Sequence, residues 1–282
     1  MQYIDAHTHL NSDELYPNRQ LYLSDFIAMW WIGLVNIWVD QIWNLRWIEI
    51  AQKAHKLYGE TCVVKATVWL HPSEVVYGYM YDQESIDVSI DALEKLLQKH
   101  ISSIVAVGEC GMDAHYPWFT EEIALLQQEL FRKQCLLARS YNLPVVIHSR
   151  DAFALTYAVL EEFTDLHIYF HCRWYGPEEA KKLIERFPYL RFGFCGNSTY
   201  PKAEQLRATF LFLISHPLYV QGRLGILLET DAPWLAPQSK RGQRHTPGYI
   251  SEQYAFLAEL ANQSVVDFSE RVISDRKRCY HV

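Results

Sequence analysis

The run Asp5-Ala6-His7-Thr8-His9 carries the first recognisable chemistry of this sequence. Side chains of an extended strand alternate faces, so Asp5, His7 and His9 project to one side. Two imidazoles one strand step apart can grip a metal ion, and a carboxylate one layer deeper can orient a ring by accepting its second N–H. Asp5 takes that supporting role. Further ionisable residues stand at the ends of later apolar runs: His71, Glu109, His148, His171 and Asp231. Glu229, two positions before Asp231, is placed in the same supporting role as Asp5. One catalytic metal needs about three protein ligands and a water. The candidates His7, His9, Glu109, His148, His171 and Asp231 therefore suggest two metals with a bridging carboxylate. Glu109 is the natural bridge, coming from between the two groups of histidines. Two divalent ions about 3.5–4 Å apart can hold a hydroxide at neutral pH and stabilise both the attacking and leaving oxygens of a phosphoryl transfer.

These residues need a scaffold that gathers positions 7 to 231. Strand-like runs are read at residues 3–7, 35–39, 62–70, 104–109, 144–148, 167–171, 190–194 and 225–230. Helical patterns separate them, among them residues 86–99, 121–140, 152–162, 178–186 and 203–215. Glu121 and Glu122 suit the first turn of the longest helix, and Pro177 suits a first helical position. Eight strands alternating with helices predict a single (β/α)8 TIM barrel, with residues 1–282 as one domain. A doubly wound open sheet would want a glycine-rich phosphate loop after an early strand, and the sequence has none. Active sites of such barrels lie at the C-terminal ends of the strands, where the ionisable residues stand.

A chain of 282 residues fits one barrel of about 250 residues. Half of it is apolar, enough for a large core. The net charge of −7 argues against a broad basic nucleic-acid face, though not against a local anion pocket. The cysteines are scattered without a Cys-x-x-Cys pair and read as reduced thiols of a cytoplasmic protein. No signal peptide is expected. The greasy run 26–39 is too short to span a bilayer and reads as the end of a helix feeding strand 2. Neither a membrane nor an obligate protein partner is implied.

Arg150, two residues past His148, can reach the same mouth to take a phosphate oxygen, or form a surface ion pair. The basic loop Lys240-Arg241-Gly242-Gln243-Arg244-His245 suits phosphate contacts or plain solvation. Trp118, Trp174 and Trp234 fall in strand-end loops where they could stack on bases. Alternation points Cys110 and Cys172 away from the site, as packing residues, with thiolate ligation the lesser alternative.

With these residues in place, the chain resembles the TatD-like metal-dependent hydrolases of the amidohydrolase superfamily. The resemblance rests on Ile4-Asp5-Ala6-His7-Thr8-His9-Leu10, Leu70-His71-Pro72, Val107-Gly108-Glu109-Cys110-Gly111-Met112-Asp113, Val146-Ile147-His148-Ser149-Arg150 and Phe170-His171-Cys172. It continues through Leu228-Glu229-Thr230-Asp231-Ala232-Pro233-Trp234-Leu235-Ala236-Pro237. It implies a (β/α)8 barrel with two divalent metals, magnesium or manganese, or zinc. His7, His9, Glu109 and Asp231 would hold one ion, and Glu109, His148 and His171 the other. Asp231 would also be the general base for the attacking water. Family members are described as deoxyribonucleases, including 3′-to-5′ exonucleases on single strands, and some remove D-amino acids from tRNA. Two stretches depart from the family pattern. Arg173-Trp174-Tyr175-Gly176 follows His171-Cys172 where an aromatic, a serine and a glycine are usual, and His245 stands where an asparagine is usual.

The leading expectation is a deoxyribonuclease cleaving phosphodiester bonds at DNA 3′ ends through a metal-bound hydroxide. Single-stranded DNA would be the substrate, with His71, Arg150, Lys240, Arg241 and Arg244 contacting phosphate and Glu109 and Asp231 central to catalysis. The same centre could instead hydrolyse an ester or amide, as in D-aminoacyl-tRNA deacylation. A non-catalytic binding barrel is disfavoured, because unpaired buried ionisable groups are costly without metal.

Overall fold

The computed structural model of the chain describes residues 2–29, 32–36, 41–59, 63–76, 80–172 and 175–280. Eight strands run parallel in one sheet, each pairing with the next in sequence order. They are β1 (Ile4–Thr8), β2 (Gly33–Asn36), β3 (Val63–Val68), β4 (Ile104–Asp113), β5 (Val145–Arg150), β6 (Ile168–Phe170), β7 (Leu190–Phe194) and β8 (Leu224–Leu228). Beyond β8, Asp231 N–H donates to the His7 carbonyl (2.9 Å) and His9 N–H to the Ala232 carbonyl (2.8 Å). These bonds join the two ends of the sheet into a nearly closed barrel.

The helices among the described residues are α1 (Arg19–Ala28), α2 (Gln41–Tyr58), α3 (Gln83–His100), α4 (Glu121–Ser140), α5 (Phe153–Leu160), α6 (Pro177–Arg186), α7 (Glu204–Ser215), the short α8 (Pro217–Val220), α9 (Ile250–Leu260) and α10 (Val265–Tyr280). Their ends follow local chemistry. Asp82 and Ser85 form a reciprocal capping box at α3, and the Thr120 hydroxyl accepts from Ile123 N at the start of α4. Pro177 opens α6, where its missing N–H costs nothing. None of the described helices is long and apolar enough to cross a membrane.

Two apolar layers hold the strands. The larger couples the sheet to the helices, with Phe131 of α4, Phe210 of α7 and Phe268 of α10 all fully buried. A separate cluster takes Ala6, Val35, Val105, Val146, Tyr169 and Leu227 from six different strands. Side chains from all round a sheet can meet only inside the barrel, so this cluster is its filling. Tyr280 of α10 belongs to it and donates its hydroxyl to the Ala6 carbonyl at 3.2 Å.

β4 runs four residues beyond the expected strand end. Its register against β5 shifts between Gly108 and Cys110, which leaves Glu109 as the extra residue of a bulge. Bulges re-aim side chains, and this one sets Glu109 at the barrel mouth. Gly108 and Gly111 make the close approach possible, at φ of 136° and 144°. A Cβ on Gly108 would collide with the Val146 carbonyl oxygen, and one on Gly111 with that of His148. Residues 37–39 of the expected second strand, Cys62 of the third, and Trp174 lie outside the described residues.

Candidate metal centre

The six expected ligands converge at the C-terminal mouth. His7 Nε2 lies 3.0 Å from His9 Nε2, 3.1 Å from Glu109 Oε2 and 3.6 Å from Asp231 Oδ1. His9 Nε2 lies 3.0 Å from Asp231 Oδ1 and 4.0 Å from Glu109 Oε2. Metal–ligand bonds of about 2.0–2.1 Å in a tetrahedral site separate ligand atoms by about 3.3 Å. The observed spacings fall around that value, and a cation between these lone pairs would relieve their mutual repulsion. The donor set fits a divalent ion.

The other carboxylate oxygen of Glu109 faces elsewhere. Oε1 lies 2.7 Å from His148 Nδ1 and 3.4 Å from His171 Nε2. Each of these histidines is held from behind. His148 Nε2 meets Asp113 Oδ2 at 3.2 Å, and His171 Nδ1 meets Glu229 Oε2 at 3.1 Å. Such outer carboxylates fix the tautomer and leave the inner nitrogen for a cation. Asp113 was not among the expected site residues. Its signal is its place on the same strand as Glu109, which an expected strand end at residue 109 conceals.

Electrostatics follow the packing. Burial drives His7 down to about 4 and His71 down to about 3, so both rings are neutral near pH 7. Burial would also lower His148, but its bonds to Asp113 and Glu109 outweigh this and raise it to about 9. Burial opposes ionisation of Glu109, yet His171, His7 and His148 pull its carboxyl well below the usual range. His171 rises well above the ordinary histidine value because Glu109 and Glu229 overcome its burial. Protons on His148 and His171 occupy the places that a cation would take.

Glu229 lies where a supporting carboxylate was expected: besides meeting His171, it accepts from Tyr169 Oη, from Cys172 N (2.5 Å) and from Cys195 Sγ (3.2 Å). Asp5 does not orient a ring. Its oxygens are taken by Thr230 N (2.9 Å) and Thr230 Oγ1 (2.6 Å), and it accepts the backbone N–H of His7 at 3.2 Å. The carboxylate thus ties β1 to the chain leaving β8, and burial lifts its pKa well above the carboxylate range.

A cavity of about 610 Å³ opens over the centre, lined by His9, His71, Glu109, Asp113, His148, His171 and Asp231, with Trp69, Tyr116, Arg150, Cys172 and Trp234 among its walls. His71 Nδ1 accepts Ser73 N–H at 3.0 Å, so the neutral ring carries its proton on Nε2. Arg150 stands over the Tyr116 ring at 5.6 Å, and Trp118 stacks on Tyr116 at 4.6 Å. Trp234 meets His9 edge-on at 4.9 Å with nearly half its surface exposed.

The basic loop behaves differently. Lys240 pairs with Glu252 (3.4 Å), Arg241 covers the Tyr200 ring (4.8 Å) and Arg244 pairs with Glu14 (3.4 Å), and none of the three lines the cavity. Their cationic ends are drawn to carboxylates and rings outside the mouth. His245 is buried, with Nδ1 bonded to the Trp234 carbonyl, and burial lowers it to about 4. Cys110 packs in the core as expected, its Sγ 3.7 Å from the Val146 carbonyl oxygen. Cys172 does not point away from the site. The chain leaves β6 at Phe170 and Cys172 turns to φ 39°, so strand alternation no longer governs it and it joins the cavity wall.

The sequence pattern of TatD-related DNases matches residues 4–281. This chain belongs to that family. It is similar to an uncharacterized metal-dependent hydrolase of Mycoplasma pneumoniae, 28% identical over 99% of this chain and 100% of that one. The Escherichia coli metal-dependent hydrolase YcfH is 35% identical over 64% of this chain and 63% of its own. The crystal structure of E. coli YjjV, a TatD homolog, superposes with a TM-score of 0.82 at 23% identity, covering 99% of this chain and 98% of that one. As a member of the TatD-related family, the chain is a metal-dependent hydrolase.

Proposed function

We propose that this hydrolase is a two-metal phosphodiesterase that shortens single-stranded DNA from its 3′ end. The observation that carries this reading is the divided carboxylate of Glu109, whose Oε2 faces His7 and whose Oε1 faces His148. Divalent ions held by His7, His9, Glu109 and Asp231 on one side, and by Glu109, His148 and His171 on the other, would supply Lewis acidity and a nucleophilic water. Asp231, 3.0 Å from His9 Nε2 and on the cavity wall, would be the carboxylate that takes up a proton from the attacking water. His71 offers its Nε2–H to a phosphate oxygen, and Arg150 offers a charged fork beside it. Tyr116 and Trp234 on the cavity wall, with Trp118 stacked on Tyr116, suit unpaired bases, which single strands expose. Glu229 and Asp113 keep the rings of His171 and His148 in register.

The test is an assay of 3′-labelled single-stranded DNA with magnesium or manganese, beside Glu109→Ala protein. Stepwise shortening that the variant lacks is the expected result. Inert DNA alongside release of the amino acid from a D-aminoacyl-tRNA would move the same centre to ester hydrolysis.

A further inference from the structure

We propose that Cys172 and Cys195 join Asp231 in a separate, thiol-bearing site for a soft divalent cation such as zinc or cadmium. It shares one ligand, Asp231, with the centre described above, and touches Glu229, the carboxylate behind His171, through Cys195 Sγ. The ligand atoms of these three buried residues all lie within 4.8 Å of one another. They come from the ends of three successive strands. Cys195 directly follows β7, while Cys172 and Asp231 stand just past β6 and β8. Cys172 and Asp231 both adopt a left-handed backbone, at φ of 39° and 54°. Such turns are uncommon for residues other than glycine, asparagine and aspartate.

The surroundings separate this pair from the other described cysteines. Cys110 and Cys135 are packed into the sheet–helix core, and Cys279 into the barrel filling. Cys172 instead lines the cavity, which gives an ion a path from solvent, and Cys195 reaches Glu229 Oε1 at 3.2 Å. Gly193, two residues before Cys195, has no side chain to displace that carboxylate, since a Cβ there would collide with it. When an ion binds, each S–H bond is exchanged for an S–metal bond and the proton leaves to solvent.

Thiolates select zinc and cadmium over magnesium and manganese. Two thiolates and a carboxylate are three of the four donors zinc usually takes, and a water would supply the fourth. An ion seated there would draw Asp231 away from His9, so excess zinc would inhibit a reaction that magnesium supports.

Titration of the intact protein with cobalt(II) tests the site directly. The expected result is a near-ultraviolet sulfur-to-cobalt charge-transfer band, growing in after the visible d–d absorption of the histidine and carboxylate ligands. The band should vanish in Cys172→Ala and in Cys195→Ala. On the unaltered chain, zinc should slow iodoacetamide labelling of Cys172 by about tenfold or more while magnesium leaves it unchanged. Visible absorption without the sulfur band, or a band that persists in Cys172→Ala, would overturn this site and leave the histidine–carboxylate centre standing. Unprotected labelling of Cys172 at saturating zinc would overturn it as well.

Discussion

Glu229 Oε2 stands 3.1 Å from His171 Nδ1, and on the far side of the ring Nε2 lies 3.4 Å from Glu109 Oε1. The ring is thereby clamped edge to edge between two buried carboxylates, and it stacks on His7 at 3.6 Å between centroids. Replacing Glu229 with glutamine keeps the shape but weakens this hold. Metal affinity measured by calorimetry should fall about 10–100-fold, with little change in the far-ultraviolet circular dichroism.

Glu109 faces both ligand sets, so its loss should be felt at both. Glu109→Ala protein should carry fewer ions by elemental analysis. Its hydrolytic rate should drop by at least about 10²–10³-fold, the scale of losing one central electrostatic group. Full metal content in this variant would contradict a bridging carboxylate.

Asp5 predicts a stability effect rather than a binding one. Its carboxylate takes both the N–H and the hydroxyl of Thr230, 225 residues away in sequence. Asp5→Ala would leave those buried donors unsatisfied and should cost about 2–4 kcal/mol, read as a lowered denaturation midpoint. The sign of that effect would be the same with or without added metal.

The pH dependence of the chelator-treated protein is set in part by His148. Its pKa is raised in the folded chain to about 9, against an ordinary value near 6.5. The stability it contributes is therefore fully present below about pH 6.5 and is lost as the pH rises through about 9. The difference in melting temperature between the natural chain and His148→Gln should shrink across that window. A difference that grows with pH would contradict the assignment.

Arg150 and Arg241 should behave differently. Arg150 lines the cavity, so Arg150→Ala should raise KM for DNA by about tenfold, the value of one charge-assisted hydrogen bond. Arg241 lies over Tyr200 instead, and Arg241→Ala should leave KM within about twofold.

The sequence made the convergence of these side chains legible because two regularities coincide. Strand alternation set His7 and His9 on one face, and the barrel rule gathered strand ends into one mouth. What it hid lies where those regularities stop. The bulge at Glu109 let β4 continue to Asp113, which alternation from an early strand end could not find. Cys172 left its strand before its side chain was placed, so counting by twos misdirected it. Spacing points Asp5 to a ring, whereas its partner is Thr230, a choice that depends on which distant segment arrives beside β1. The cationic loop read as a phosphate site because local composition cannot reveal that Glu14, Tyr200 and Glu252 are its neighbours.

The backbone seam between His7 and Asp231 also bears on the order in which the protein is made. A chain emerging from its N-terminus exposes His7 and His9 early, but Asp231 follows 222 residues after His9. Until β8 has been synthesised and docked against β1, no fragment holds both halves of the first ligand set. His7, His9 and Asp231 thus come together only with the closing of the barrel.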